Sequence, residues 1–180
     1  MRILIAALSC SLMVAGCAWL GGKAAPSAVA NLQPTKGNKV WGTVTFTQKG
    51  NKVLVVANVN GLKPGMHGFH IHEKGDCSAA DGMSAGGHFN PQGKQHGGPD
   101  SADHHAGDLG NLNADSSGNA AYSYEAPGIT LDKTAANSIV GKGVIVHVNR
   151  DDYTPPAGNS GGRIACGVIV LNEAPRSGYY

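Results

Sequence analysis

The chain has 180 residues, with 14 Lys plus Arg against 12 Asp plus Glu and a formal net charge of +2 with histidine neutral. Charged residues make up 14%, against about 25% in ordinary soluble domains, and the 27 glycines are about twice the usual share. These figures leave room for one ordinary domain and exclude a disordered chain, a collagen-like repeat and, without runs of Lys or Arg, a nucleic-acid binder. The glycine surplus points to the many tight turns of an all-β protein, and the eight histidines, seven of them between His67 and His105, point to metal.

The N-terminus reads as an address. Arg2 is followed by a dozen mostly apolar residues from Ile3 to Val14, an export signal too short for a transmembrane helix of about 20 residues. Val14-Ala15-Gly16-Cys17 then resembles a bacterial lipobox, in which Cys17 is lipidated and becomes the mature N-terminus; ordinary cleavage with Cys17 incidental is the alternative. Residues 1–16 are therefore expected to be a signal peptide of lipoprotein type, and the protein exported to the periplasm or cell envelope. Residues 17–37, rich in Ala, Gly, Ser and Pro, read as a flexible tether with a reach of roughly 25 Å. The domain proper is expected over 38–175, with a C-terminal tail at 176–180 ending in Tyr179-Tyr180.

From Val40 onward apolar residues recur with period two. Val40, Gly42, Val44 and Phe46 alternate with Trp41, Thr43, Thr45 and Thr47; Gly50-Asn51 is a hairpin signal; Val53, Val55, Ala57 and Val59 continue the pattern. Further strands are expected at Phe69 to His72, Ala120 to Tyr124, Val144 to Val148 and Ile164 to Leu171, and no window keeps a helical period. Short strands with Gly-rich turns predict an antiparallel sandwich or barrel. Two segments, Glu73 to Gly107 and Asn149 to Gly162, are too long for simple turns, and the first carries most of the histidines.

Gly68-Phe69-His70-Ile71-His72 puts two imidazoles on one face of a strand and Phe69 and Ile71 on the other. Val146-His147-Val148 offers another strand histidine, and the long loop adds His88, His96, His104 and His105. His105-Ala106-Gly107-Asp108 can aim both end residues at one ion. An all-imidazole set suits copper, and imidazoles with a carboxylate in tetrahedral array suit zinc. Spacing alone supports one metal or two on a β scaffold and does not identify a reaction.

Here the sequence resembles the copper–zinc superoxide dismutases, in a bacterial, secreted lipoprotein form. The resemblance rests on Gly68-Phe69-His70-Ile71-His72-Glu73, Ser84-Ala85-Gly86-Gly87-His88-Phe89-Asn90-Pro91 and His96-Gly97-Gly98-Pro99. It continues through His105-Ala106-Gly107-Asp108-Leu109-Gly110-Asn111, Val146-His147 with Asp151-Asp152, and Gly162-Arg163-Ile164-Ala165-Cys166-Gly167-Val168-Ile169. Six ordered motifs span about Lys39 to Leu171.

The resemblance implies an immunoglobulin-like Greek-key barrel or sandwich of eight antiparallel strands with long metal-binding and electrostatic loops. It implies one copper per subunit on His70, His72, His88 and His147, and one zinc on His88, His96, His105 and Asp108. His88 would bridge the two as an imidazolate, taking up a proton when copper is reduced and passing it to peroxide. Asp151 would link ring nitrogens of His70 and His96. Arg163 would attract and dock superoxide, the family being itself a known example of electrostatic steering. Cys77 and Cys166 would form the intradomain disulfide, 89 positions apart, contributing roughly 4–5 kcal/mol in the chain-entropy model. The implied reaction is dismutation of superoxide to oxygen and hydrogen peroxide.

The competing readings are a non-catalytic copper- or zinc-binding relative on the same fold, which would lack a copper ligand or the arginine, and a zinc hydrolase, which would leave the strand histidines unexplained. His67 is expected to be structural, His104 a bystander, Asp152 a loop cap, Asp100 and Asp103 solvated, and Trp41 packed. The segment between Asp152 and Arg163 is shorter than the charged loop of animal members and has no Lys or Glu, so steering rests mainly on Arg163, with Lys94, Lys142 and Arg150 as candidate helpers. No partner is implied beyond superoxide and a membrane reached through the lipid anchor; a homodimer is one state the resemblance allows without fixing it.

Overall fold

The structure, a computed structural model, describes residues 24–172. The signal segment, Cys17 and the tail at 176–180 lie outside the described residues. The expected all-β architecture is observed. Nine strands run β1 Ser27–Pro34, β2 Trp41–Lys49, β3 Lys52–Asn60, β4 Gly65–His72, β5 Asp108–Ala114, β6 Ala120–Pro127, β7 Gly143–His147, β8 Arg163–Val168 and β9 Val170–Leu171. One 3-10 turn, Met83–Ala85, is the only helical element among the described residues.

Every ladder is antiparallel, in the order β5-β4-β7-β8-β1-β2-β3-β6, with β9 added beside β1. The β2–β3 hairpin closes at Lys49↔Lys52 around Gly50-Asn51 as the turn signal predicts. Along it Val44, Phe46, Val53, Val55 and Ala57 are fully buried, while their neighbours face outward. β5 and β6 face each other across a seam. There the Tyr122 hydroxyl donates to the Leu109 carbonyl at 2.6 Å, and the Tyr124 hydroxyl donates to the Pro99 carbonyl at 3.0 Å. Phe69 lies in the barrel interior, edge-on to Tyr122 with ring centroids 5.3 Å apart. Eight strands thus form a nearly closed barrel that leaves few free edges.

The structure corrects the expected tether. Ser27–Pro34, placed in the tether over 17–37, is strand β1, and it joins the two halves of the sheet. Residues 27–32 pair with β2, and Gln33 and Pro34 pair with Cys166 and Ala165 of β8. Its period-two pattern is weak in sequence because two of its three inward residues, Ala28 and Ala30, are small and poor strand formers. Only Leu32 carries a large inward side chain. β5 is likewise absent from the predicted strands. Asp108, Gly110, Asn111 and Asn113 disfavour strands individually, and pairing with β4 overrides them. The run from Ile164 to Leu171 is two strands, because buried Ile169 leaves the β7 ladder to exchange backbone bonds with Lys142 and Gly141. Trp41, expected to pack, is 58% exposed, because the inward positions of β2 are Gly42, Val44 and Phe46.

Because Leu32 is 1% exposed in this joining strand, Leu32→Ala is expected to cost about 2–5 kcal/mol in chemical denaturation. A change within about 0.5 kcal/mol, typical of a surface position, would mean that the segment does not pack.

Candidate metal centre

Three strands and two loops converge at one end of the barrel. On β4 the alternation sends Phe69 and Ile71 into the core and His70 and His72 outward beneath the long loops, all four almost fully buried. β7 runs beside β4, and its last residue His147 pairs with Arg163 across the β7–β8 ladder. Register shifts fall between Gly68 and His70 and between Val146 and His147, so each ladder is irregular where one of these histidines stands. His88 is brought to the end of β4 by a bridge to His72. Asp108 opens β5 opposite His70, and His96 and His105 arrive from the loop before it.

Two groups result. His70, His72, His88 and His147 form one, and His88, His96, His105 and Asp108 form the other; within each, one nitrogen or oxygen from every residue lies within 4.8 Å of the rest. His88 belongs to both. The structure therefore brings together all seven residues singled out from the sequence and leaves out His67 and His104, the two histidines expected to stand apart. Buried His67 has ring nitrogens 2.9 Å from the His147 carbonyl and 2.8 Å from the Lys63 carbonyl, and His104 turns to the His105 carbonyl at 2.7 Å.

The partners of each ring say which nitrogen remains free. His72 Nδ1 donates to the Gly86 carbonyl at 2.9 Å and His147 Nδ1 donates to the Gly161 carbonyl at 3.0 Å. His70 Nε2 meets Asp151 Oδ2 at 2.7 Å, and His96 Nε2 meets Asp151 Oδ1 at 3.0 Å. The opposite nitrogens, His72 Nε2, His147 Nε2, His70 Nδ1 and His96 Nδ1, are buried with no hydrogen-bond partner. His96 Nδ1 is 3.0 Å from Asp108 Oδ2 but outside hydrogen-bond geometry. One orphaned buried nitrogen costs about 1–3 kcal/mol; four aimed into the same two clusters fit a metal-ligand set. His88 Nδ1 is 2.9 Å from Asp108 Oδ1 and 3.4 Å from His105 Nδ1, so this nitrogen belongs to the carboxylate-containing group.

The electrostatics separate the two groups. Burial favours neutral imidazole, holding His70 down at about 4 and His147 at about 3 and depressing His72 further, with neighbouring imidazoles adding to the effect at each. These rings are neutral donors at physiological pH. His96 differs: burial works against its charged form, but Asp108 and Asp151 on either side outweigh it and raise the ring to about 9. Asp108 is buried, which favours its neutral form, yet the imidazoles around it hold it well below the usual carboxylate range, and Asp151 behaves alike beside His70 and His96. An all-imidazole group beside one with a buried carboxylate matches copper and zinc preferences respectively.

The first group opens into a cavity of about 450 Å³ whose lining includes His72, His88, His147 and Arg163. Among its described lining residues Arg163 is the only Lys or Arg. Its guanidinium donates to the Gly82 carbonyl at 2.7 Å and the Gly86 carbonyl at 2.5 Å, so the cation is fixed and the Gly86 oxygen also serves His72. Lys94 donates to the Ala102 carbonyl, and Lys142 donates to the Glu73 carbonyl and stands 5.0 Å over Phe89; neither lines the cavity. Arg150 lies along a separate groove. Asp152 caps its own loop, accepting from the Thr154 amide and the Asn159 side chain. Cys77 and Cys166 form a disulfide that links the loop bearing Gly82 and Gly86 to the strand bearing Arg163.

Sequence reasoning missed two backbone positions. Gly82 supplies a carbonyl that holds Arg163. Gly158 has φ +71, and a Cβ there would overlap the Asp151 carboxylate and approach His96 Nε2 at 2.7 Å. A glycine among other glycines carries no signal for either role; only the contact across the loop shows it.

Residues 40–169 match the family described as copper/zinc superoxide dismutase (SODC). The chain is 46% identical over 151 residues to superoxide dismutase [Cu-Zn] 2 of Brassica juncea, covering 79% of this chain and 96% of that protein. Its fold is similar to the crystal structure of the clock protein EA4, with a TM-score of 0.74 and 39% identity, covering 84% of this chain and 98% of the other. The chain belongs to the copper/zinc superoxide dismutase family. It is an enzyme that dismutes superoxide, with copper and zinc as its metals.

Proposed function

We propose that His70, His72, His88 and His147 hold the copper, that His88, His96, His105 and Asp108 hold the zinc, and that Arg163 docks the superoxide anion. The observation that carries this reading is the pair of four-residue groups sharing His88, with buried nitrogens that lack hydrogen-bond partners on His70, His72 and His147 of the first and on His96 of the second. Copper, when bound, supplies the one-electron oxidation and reduction of superoxide. The chain's own residues do the rest.

Arg163 presents a fixed positive charge beside His147 at the wall of the cavity. Two backbone carbonyls orient its guanidinium toward the group that opens there, and the arriving anion meets a charge that needs no reorganisation. The loop from Asp152 to Arg163 contributes Pro156, Ala157, Asn159, Ser160 and Gly161 to the wall and no charge of its own, so the attraction is local. His88 is placed to hold a proton on the nitrogen opposite Nδ1 in one half-cycle and to yield it to peroxide in the other. Its Nδ1 stays engaged with the Asp108 side of the centre. His72 and His147 are locked in one tautomer by backbone carbonyls, which keeps Nε2 deprotonated toward the cavity.

The protein is further proposed to be a bacterial, exported lipoprotein anchored through Cys17. Support comes from Arg2, the apolar run from Ile3 and the lipobox-like Val14-Ala15-Gly16-Cys17. With β1 beginning at Ser27, nine residues, Ala18 to Pro26, connect Cys17 to the barrel.

His147→Ala is expected to abolish dismutation while zinc content of the purified protein stays near one per chain; retained activity would refute the copper assignment. Arg163→Glu is expected to lower the second-order rate with superoxide by at least tenfold and to reverse the sign of its salt dependence. An unchanged rate would remove the anion-docking role. Cys17→Ala is expected to move the protein from the membrane fraction to the soluble one; an unaltered partition would refute the anchor.

A further inference from the structure

We infer that Asn111 is a positioning residue for the metal centre, acting on Asp151 from the barrel wall. The inference rests on the ligand reading above, because it concerns the carboxylate between His70 and His96.

Asp151 is fully buried and belongs to the loop between β7 and β8, which is not part of any strand. Its carboxylate accepts from His70 Nε2 through Oδ2, and from His96 Nε2 and the Tyr153 amide, at 2.8 Å, through Oδ1. The direction in which both rings point therefore follows the position of one side chain on an irregular loop. What holds that residue is Asn111. Its Oδ1 accepts the Asp151 amide at 2.7 Å, and its Nδ2 donates to the Asp151 carbonyl at 3.0 Å. One carboxamide thus satisfies both backbone polar groups of Asp151, a two-point contact that fixes rotation as well as position. The same Nδ2 lies 3.3 Å from the Tyr153 hydroxyl. Tyr153 has φ +66, a left-handed conformation that a bulky side chain adopts only when its surroundings hold it.

Asn111 is well placed for this task. It stands on β5 opposite Gly68 of β4, three residues after Asp108 and two residues in register from His70. The strand that carries the zinc-group carboxylate therefore also carries the group that locates the linking carboxylate. No neighbouring residue substitutes for it: a hydrophobic side chain would leave the buried Asp151 amide without its acceptor.

The test uses the metal-replete full chain, with Asn111→Ala and the near-isosteric Asn111→Asp. Asn111→Asp keeps an acceptor for the Asp151 amide but loses the donor to its carbonyl. Zinc affinity is read by chelator competition, and the copper environment by electron paramagnetic resonance. The thermal midpoint of the metal-free protein is followed in parallel. Asn111→Ala is expected to weaken zinc retention 10- to 100-fold and to change the copper hyperfine splitting. Asn111→Asp is expected to give a smaller loss in the same direction. Zinc retention within twofold of the parent in both variants would overturn the inference, even if the thermal midpoint fell, because the residue would then serve stability alone. His105→Ala, which removes a proposed zinc ligand that does not touch Asp151, separates the two failures. If it too leaves zinc affinity unchanged, the ligand reading is at fault.

Discussion

The buried carboxylate of Asp151 is the contact on which the centre depends. It accepts from His70 and His96 at once, and these rings belong to different groups of the centre. Each ring is thereby oriented, and its other nitrogen, His70 Nδ1 or His96 Nδ1, is buried without a hydrogen-bond partner. A carboxylate so enclosed is stable only because it is the acceptor for several donors. Gly158 lies so close to its Oδ1 that a Cβ there would overlap it, and the Tyr153 amide donates to the same oxygen.

The barrel's part is to hold these partners at fixed spacing. Ladders β5–β4–β7–β8 run side by side and deliver Asp108, His70, His72, His147 and Arg163 at neighbouring positions, from strands whose other face is packed with Phe69, Ile71, Val144 and Val146. The ladders are irregular where these histidines stand, at Gly68/His70 and Val146/His147. The loops then close over the strands. The Cys77–Cys166 disulfide secures the loop whose carbonyls at Gly82 and Gly86 aim Arg163, and the Gly86 oxygen is shared with His72. The Arg163 guanidinium and one wall of the imidazole cluster are therefore set by the same few backbone atoms. With a formal net charge of only +2, the positive charge at the cavity is a local feature supplied by Arg163 rather than a property of the molecule as a whole.

Much of this was legible before any coordinates. Val44, Phe46, Val53 and Val55 announce a hairpin by strict alternation, and Gly50-Asn51 marks its turn. His70 and His72 at i and i+2 necessarily share a face if the segment is extended. Each histidine motif is local, and its spacing survives any fold that keeps the strand. Strand β1 was hidden because Ala28 and Ala30 look like linker residues until β2 and β8 are set beside them. β5 was hidden because Asn, Asp and Gly are poor strand formers in isolation, and only their pairing with β4 outweighs that preference. Asn111 stood in plain view within a recognised motif, yet its partner lies 40 positions away.

The sequence by itself determined the β class, the alternating core and the clustering of histidines; its resemblance to a known family singled out the seven residues that the structure groups, and Arg163. These are properties of short segments, where chemistry and period are written together. Only the tertiary structure decided that 27–34 is the strand joining the two halves of the sheet. It also decided which nitrogen of each imidazole is free, and that Asn111, Gly82 and Gly158 hold the centre in shape. Those depend on contacts between segments distant in the chain, and hydrogen-bond direction and close backbone approach exist only once those segments meet.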